Sequence, residues 1–149
     1  MHKTIIAIYG RQSEGKSSTI KNICNHILQH YPNAVPSIPK IDYSGDILVT
    51  IKLGTIKIGF ESQGDPGSRM LWNHTVENLA KIENCDIIIC ATRTEGDTVK
   101  KVDYVADTYG YHTIWLSSFW SPTHNHIVLN QIATETVVEM INGLIVGRL

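Results

Sequence analysis

Thr4-Ile-Ile-Ala-Ile-Tyr-Gly10-Arg-Gln-Ser-Glu-Gly15-Lys16-Ser17-Ser18 decides the fold of this chain. The first six residues form an apolar run of strand length, and an amphipathic pattern begins directly after the second glycine. A chain that turns sharply out of a strand and straight into a helix aims a row of backbone N–H groups, and the positive end of the helix, at one point. Anions bind at such a point. Gly10 and Gly15 permit the turn and the close approach of backbone to an oxygen atom. Lys16 adds a cation that reaches the β- and γ-phosphates, and Ser17 adds a hydroxyl for Mg²⁺. Gly10, Arg11, Gln12, Ser13, Glu14, Gly15, Lys16, Ser17 and Ser18 therefore make up the expected nucleotide-binding loop, with Arg11 facing solvent.

Downstream, Ile20, Ile23, Cys24, Ile27, Leu28 and Tyr31 recur at spacings of three and four, one buried stripe of a helix that stops at Pro32. Residues 32–40 carry three prolines and read as an extended connection. Asp46–Leu53 and Thr55–Glu61 are β-rich runs joined at Gly54, a turn that admits only an antiparallel hairpin. The second run alternates Ile56, Ile58 and Phe60 with Lys57 and Gly59, which predicts one partly wet face. A helix is expected from about Ser68, with Leu71, Val76, Leu79, Ala80 and Ile82 inward. Asp86–Ala91 reads as a central parallel strand, and a helix carrying Val99, Val102, Val105, Ala106 and Tyr109 closes at Gly110. A last strand, His112–Leu116, precedes a helix from about Asn125 to Leu144 with Leu129, Ile132, Ala133, Val137, Met140, Ile141 and Leu144 on its core side. Strands alternating with helices predict a three-layer α/β domain over residues 1–149, its sheet mostly parallel with one antiparallel hairpin strand.

The bulk numbers agree with a single globular domain. At 149 residues, with 42% hydrophobic and 18% charged side chains, the chain buries enough surface to fold without disulfides or structural metal. A net charge of −1 gives no clear nucleic-acid signal. Cys24, Cys85 and Cys90 lie in or beside apolar segments and read as buried free thiols of a reducing compartment. The short apolar run before Gly10 is too brief for a signal segment or a spanning helix. The expectation is a cytoplasmic protein without a membrane partner.

The order strand, phosphate loop, helix, Pro-rich connection, hairpin, then Glu61-Ser-Gln-Gly64 resembles the Ras-like small GTPases of the P-loop NTPase superfamily over residues 4 to 116. The resemblance implies that Glu61 holds Mg²⁺ through water and that the Gly64 N–H contacts the γ-phosphate. Three departures accompany it. Glu61 stands where the family has Asp, and Asp65 stands where it has a water-orienting Gln. The guanine-specifying Asn-Lys-x-Asp is replaced by Ser117-Ser-Phe-Trp120, so ATP is expected ahead of GTP. The family's last strand and helix have no counterpart after the helix that ends near Leu144.

The catalytic candidates are Lys16, Glu61, Asp65 and Arg93, and the metal ligands Ser17 and Glu61. Glu61 also suits a strand-end cap, and Asp65-Pro-Gly67 is ordinary turn chemistry. Arg93, and to a lesser degree Arg69, follow strand ends where an arginine neutralises charge on a transferred phosphoryl group. Ser37 is a candidate second Mg²⁺ ligand from the Pro-rich connection. Phe119 and Trp120 suit either stacking on a base or packing of the last helix, packing being the commoner role. Among seven histidines, His26 and His30 have zinc-pair spacing and His124 and His126 flank one residue, both pairs reading better as solvated side chains. Three functions stay open: Mg²⁺-dependent nucleoside triphosphate hydrolysis first, a small-molecule or nucleotide kinase second, and a nucleotide-controlled switch third. A homodimer or a protein partner fits the last, with exposed hairpin edges as the surface.

Overall fold

The computed structural model describes residues Met1–Leu149. The chain runs β1 (Thr4–Tyr9), α1 (Lys16–His30), β2 (Ala34–Pro36), β3 (Leu48–Leu53), β4 (Ile56–Glu61), α2 (Arg69–Trp72), α3 (Thr75–Lys81), β5 (Ile87–Thr92), α4 (Asp97–Tyr109), β6 (His112–Ser117) and α5 (His126–Ile145). All six strands join one sheet in the order β2-β3-β4-β5-β1-β6. β4, β5, β1 and β6 run parallel, and β3 alone opposes its neighbours. The expected α/β architecture with one antiparallel strand is what forms.

Alternation of side chains along the central strands divides the interior in two. On β1, Ile6 and Ile8 enter the layer under α1 and α5, while Ile5 and Ala7 enter the layer under α3 and α4. On β5, Ile87, Ile89 and Ala91 join the first set and Ile88 and Cys90 the second. Both strands are buried on both faces, which is why they read as unbroken apolar runs. Asn125 starts α5 by accepting the N–H groups of Ile127 and Val128 at 3.0 and 3.1 Å, and Gly110 closes α4 at φ 77°.

Four details depart from the sequence expectation. Residues 34–36 of the Pro-rich connection pair with β3 as a short edge strand, a position where proline's missing N–H costs no ladder bond. β4 has no wet face at Gly59: a Cβ there would lie 2.9 Å from both Cys85 Sγ and Leu79 Cδ2, so the glycine admits α3 directly onto the strand. The helix expected from Ser68 is two pieces, broken at His74 with φ 54°, and Met70 is buried while Ile82 is 68% exposed. On α5 the buried stripe runs through Ala133, Val137, Ile141 and Leu144, leaving Ile132 outside.

All three cysteines are free and buried. Burial pushes the Cys24 thiol up to about 11 and those of Cys85 and Cys90 up to about 12. A thiol-specific reagent at about pH 8 is expected to leave all three unmodified in the native protein and to label three per chain after denaturation. Rapid labelling of any one without denaturant would show that its layer is not packed as described.

Candidate functional site

The parallel strands end on one edge of the sheet, and a pocket of about 420 Å³ opens there. It is lined by Ser13 to Ser18, Asp46, Ser62 to Asp65, Ala91, Phe119, Trp120, His126 and Asn130. The loop leaving β1 is held closely by its neighbours. The Gly10 N–H donates to Thr92 O at 3.2 Å, and a Cβ on Gly10 would lie 2.3 Å from Ser118 Oγ. Gly15 takes φ +81°, and a Cβ there would lie 2.7 Å from Asn130 Oδ1. Gly15 calls for glycine by its conformation, and at Gly10 any side chain would have to displace the Ser118 hydroxyl. α1 starts without a side-chain cap, so its first N–H groups keep their capacity to bind an acceptor.

Lys16 is 7% exposed, with Nζ donating to Gly10 O and Thr92 O at 2.7 Å each. Its burial pulls the ammonium pKa below the usual lysine value, the Asp65 carboxylate opposes that fall, and Arg93 adds to it. Beside it, Ser17 Oγ donates to Asp46 Oδ1 at 2.8 Å. Asp46 also accepts from Ser62 Oγ at 2.8 Å and from Gln63 Nε2 at 3.3 Å. Burial works to raise the Asp46 pKa, but the three hydrogen bonds and the Arg69 charge hold it below the ordinary carboxylate range. Asp46 is therefore ionised at neutral pH. Asp65, its side chain half exposed, pairs with Arg93 Nε at 3.0 Å.

Of the residues expected from sequence, Ser13, Glu14, Gly15, Lys16, Ser17, Ser18, Gly64 and Asp65 line the pocket, and Arg93 reaches it through Asp65. Gly10 lies behind the wall, contributing its carbonyl to Lys16. Arg11 turns to solvent, 78% exposed, and pairs with Glu14 at 2.7 Å, while Gln12 is exposed away from the pocket. Gly64 rests on the end of β5, where a Cβ would lie 2.0 Å from Ala91 O.

Glu61 is the clear departure. It is fully buried and absent from the pocket wall, its carboxylate accepting from Arg69 Nη2 at 2.8 Å, Arg69 Nε at 2.9 Å, Thr75 Oγ1 at 2.6 Å and the Gln63 N–H at 3.0 Å. These donors all come from within the protein, and the Glu61 carboxylate keeps no face on the pocket. A metal ligand at Glu61 therefore does not fit. Arg69 is committed to the same pair. The carboxylate that does reach Ser17 is Asp46, which the sequence presents only as the first residue of a strand after an irregular connection. Ser37 accepts the Thr50 N–H instead of facing the site.

The remaining candidates also find places. Phe119 and Trp120 line the pocket and belong to neither core cluster. His26 and His30 stack at 4.1 Å, His124 contacts Ser121 Oγ at 2.6 Å, and no group of three His, Cys, Asp or Glu is arranged to hold a metal ion. No helix is long and apolar enough to cross a membrane. A scan of family models, a search of curated proteins and a search of solved structures each found no match to the chain.

The Glu61–Arg69 pair generates a stability test. Arg69→Met leaves a buried carboxylate short of its cation and is expected to cost about 3 kcal/mol, the low end for a buried pair because Arg69 is 32% exposed. Adding Glu61→Leu is expected to restore part of that loss in urea denaturation. A single-variant cost below about 1 kcal/mol would mean the pair does not hold α2 to β4.

Proposed function

We propose that the pocket binds a magnesium nucleoside triphosphate and hydrolyses its γ-phosphate. The observation that carries this reading is Lys16. Its ammonium is buried and satisfied only by two carbonyl oxygens, beside the uncapped N-terminus of a 15-residue helix, in a pocket large enough for a nucleotide. A cation and a row of N–H groups converging on one cavity match a chain of phosphates.

The donor set suits Mg²⁺. Ser17 and Asp46 offer hard oxygen atoms side by side, and Asp46 is already ionised; Mg²⁺ commonly takes one or two protein ligands of this kind and completes its shell with water and phosphate. Held there, the ion would neutralise charge on the phosphate oxygens. The chain's own residues supply the rest. The first N–H groups of α1 and Lys16 would fix the phosphates, Lys16 leaving its carbonyl partners for the β- and γ-oxygens. Asp65 would orient the attacking water, and Arg93, drawn from Asp65 toward the stronger negative charge, would stabilise the transferred phosphoryl group. Glu61 acts at one remove, holding Arg69 and the Gln63 N–H, while the Gln63 side chain reaches Asp46.

Phosphate release from Mg·ATP and Mg·GTP tests the reading. Lys16→Ala is expected to lower the rate about a hundredfold or more. Asp65→Asn is expected to lower turnover by about 10²-fold or more while nucleotide affinity changes only a few fold. Wild-type turnover by Lys16→Ala would refute the proposal. Tight binding without release would redirect it to phosphoryl transfer to an acceptor or to a nucleotide-controlled switch.

A further inference from the structure

The pocket has two chemically different ends. It crosses the ends of β4, β5, β1 and β6, three strand spacings or about 14 Å. Its three wall carboxylates are Glu14, Asp46 and Asp65, turned respectively to Arg11, Ser17 and Arg93. The chain after β6 adds Phe119 and Trp120 to the wall and α5 adds His126 and Asn130, with no carboxylate among the four, Asn130 lying against Gly15 of the loop. Trp120 is 37% exposed and lines the pocket, so part of its ring surface is open there. It is also held in place. His126 lies beside it with ring centroids 6.1 Å apart and a 31° tilt, and His126 Nε2 is itself within 2.7 Å of Ser121 O.

We infer that this end holds the nucleobase by stacking on Trp120, and that adenine and guanine nucleotides are accepted with similar affinity. The inference rests on the nucleotide reading above and names the substrate class within it. Stacking needs only a flat π-face, which every base has, and so it discriminates weakly. Selecting guanine calls for an acceptor aimed at its N–H donors, and selecting adenine for a group that rejects the guanine edge. Asn130 turns its Oδ1 toward Gly15 and Thr19, and His126 gives its Nε2–H to the Ser121 carbonyl, so these polar atoms are engaged within the protein and impose no choice of base. The lack of a guanine motif thus points to a base-tolerant site instead of one restricted to ATP. Larger purine rings overlap an indole more fully than pyrimidines, which orders the expected affinities.

Equilibrium binding of Mg·ATP, Mg·GTP, Mg·CTP and Mg·tripolyphosphate to the wild-type chain, Trp120→Ala and Trp120→Phe tests this. ATP and GTP are expected within about tenfold of each other and both tighter than CTP. Trp120→Ala is expected to weaken both purine nucleotides by about tenfold or more, Trp120→Phe by only a few fold, and tripolyphosphate, which has no ring, is expected to bind all three proteins alike. A purine preference above about a hundredfold, or equal losses for tripolyphosphate and ATP in Trp120→Ala, would overturn the stacking inference while leaving phosphate binding standing. Failure of tripolyphosphate and all nucleotides to bind would remove the nucleotide reading, and the base inference with it.

Discussion

The ammonium of Lys16 stands where the exits of β1 and β5 meet, bonded to the carbonyls of Gly10 and Thr92 and largely cut off from water. Its hydrogen-bond partners are neutral, and burial holds its pKa below the usual lysine value although Asp65 opposes the fall. The arrangement exists because two glycines let the loop press against β6 and α5 without a side chain between them. Around it stand an uncapped helix, an ionised carboxylate beside a hydroxyl, and an ion pair open to the pocket.

The acid at the end of β4 turns away from the pocket and builds structure, holding Arg69, Thr75 and Gln63, while Ser62 to Asp65 after it line the wall. The wall carboxylate that meets Ser17 comes instead from Asp46, at the entry to β3. A continuous series of hydrogen bonds then runs from Ser17 through Asp46 and Gln63 to Arg69 and Glu61, so the loop, the hairpin and α2 share one polar network. Satisfied networks of this kind rigidify a site at the points where a ligand is gripped.

What was legible in the sequence is what local pattern encodes. The sharp turn from β1 into α1, the apolar runs of β1 and β5, the hairpin turn at Gly54 and the Gly110 cap each depend on residues close in the chain. That Glu61 turns inward to Arg69 while Asp46 faces Ser17 is decided by distant pairings, which neither residue's neighbours in the chain reveal. Likewise the break at His74 needs a positive φ on a non-glycine residue, and Gly59 opens a strand face only because Leu79 and Cys85 arrive from elsewhere. Trp120 was legible as an aromatic near the site, but its place on the pocket wall beside His126 depends on where α5 begins in space.

The most direct measurement of the central claim is a crystal structure of the chain with Mg²⁺ and a non-hydrolysable ATP analogue. The expected result places the phosphates over the first turn of α1, Lys16 Nζ on phosphate oxygens instead of Gly10 and Thr92, and the ion at about 2.1 Å from Ser17 Oγ. An analogue bound elsewhere, or a Lys16 still held by its two carbonyls with the pocket lacking phosphate, would contradict it.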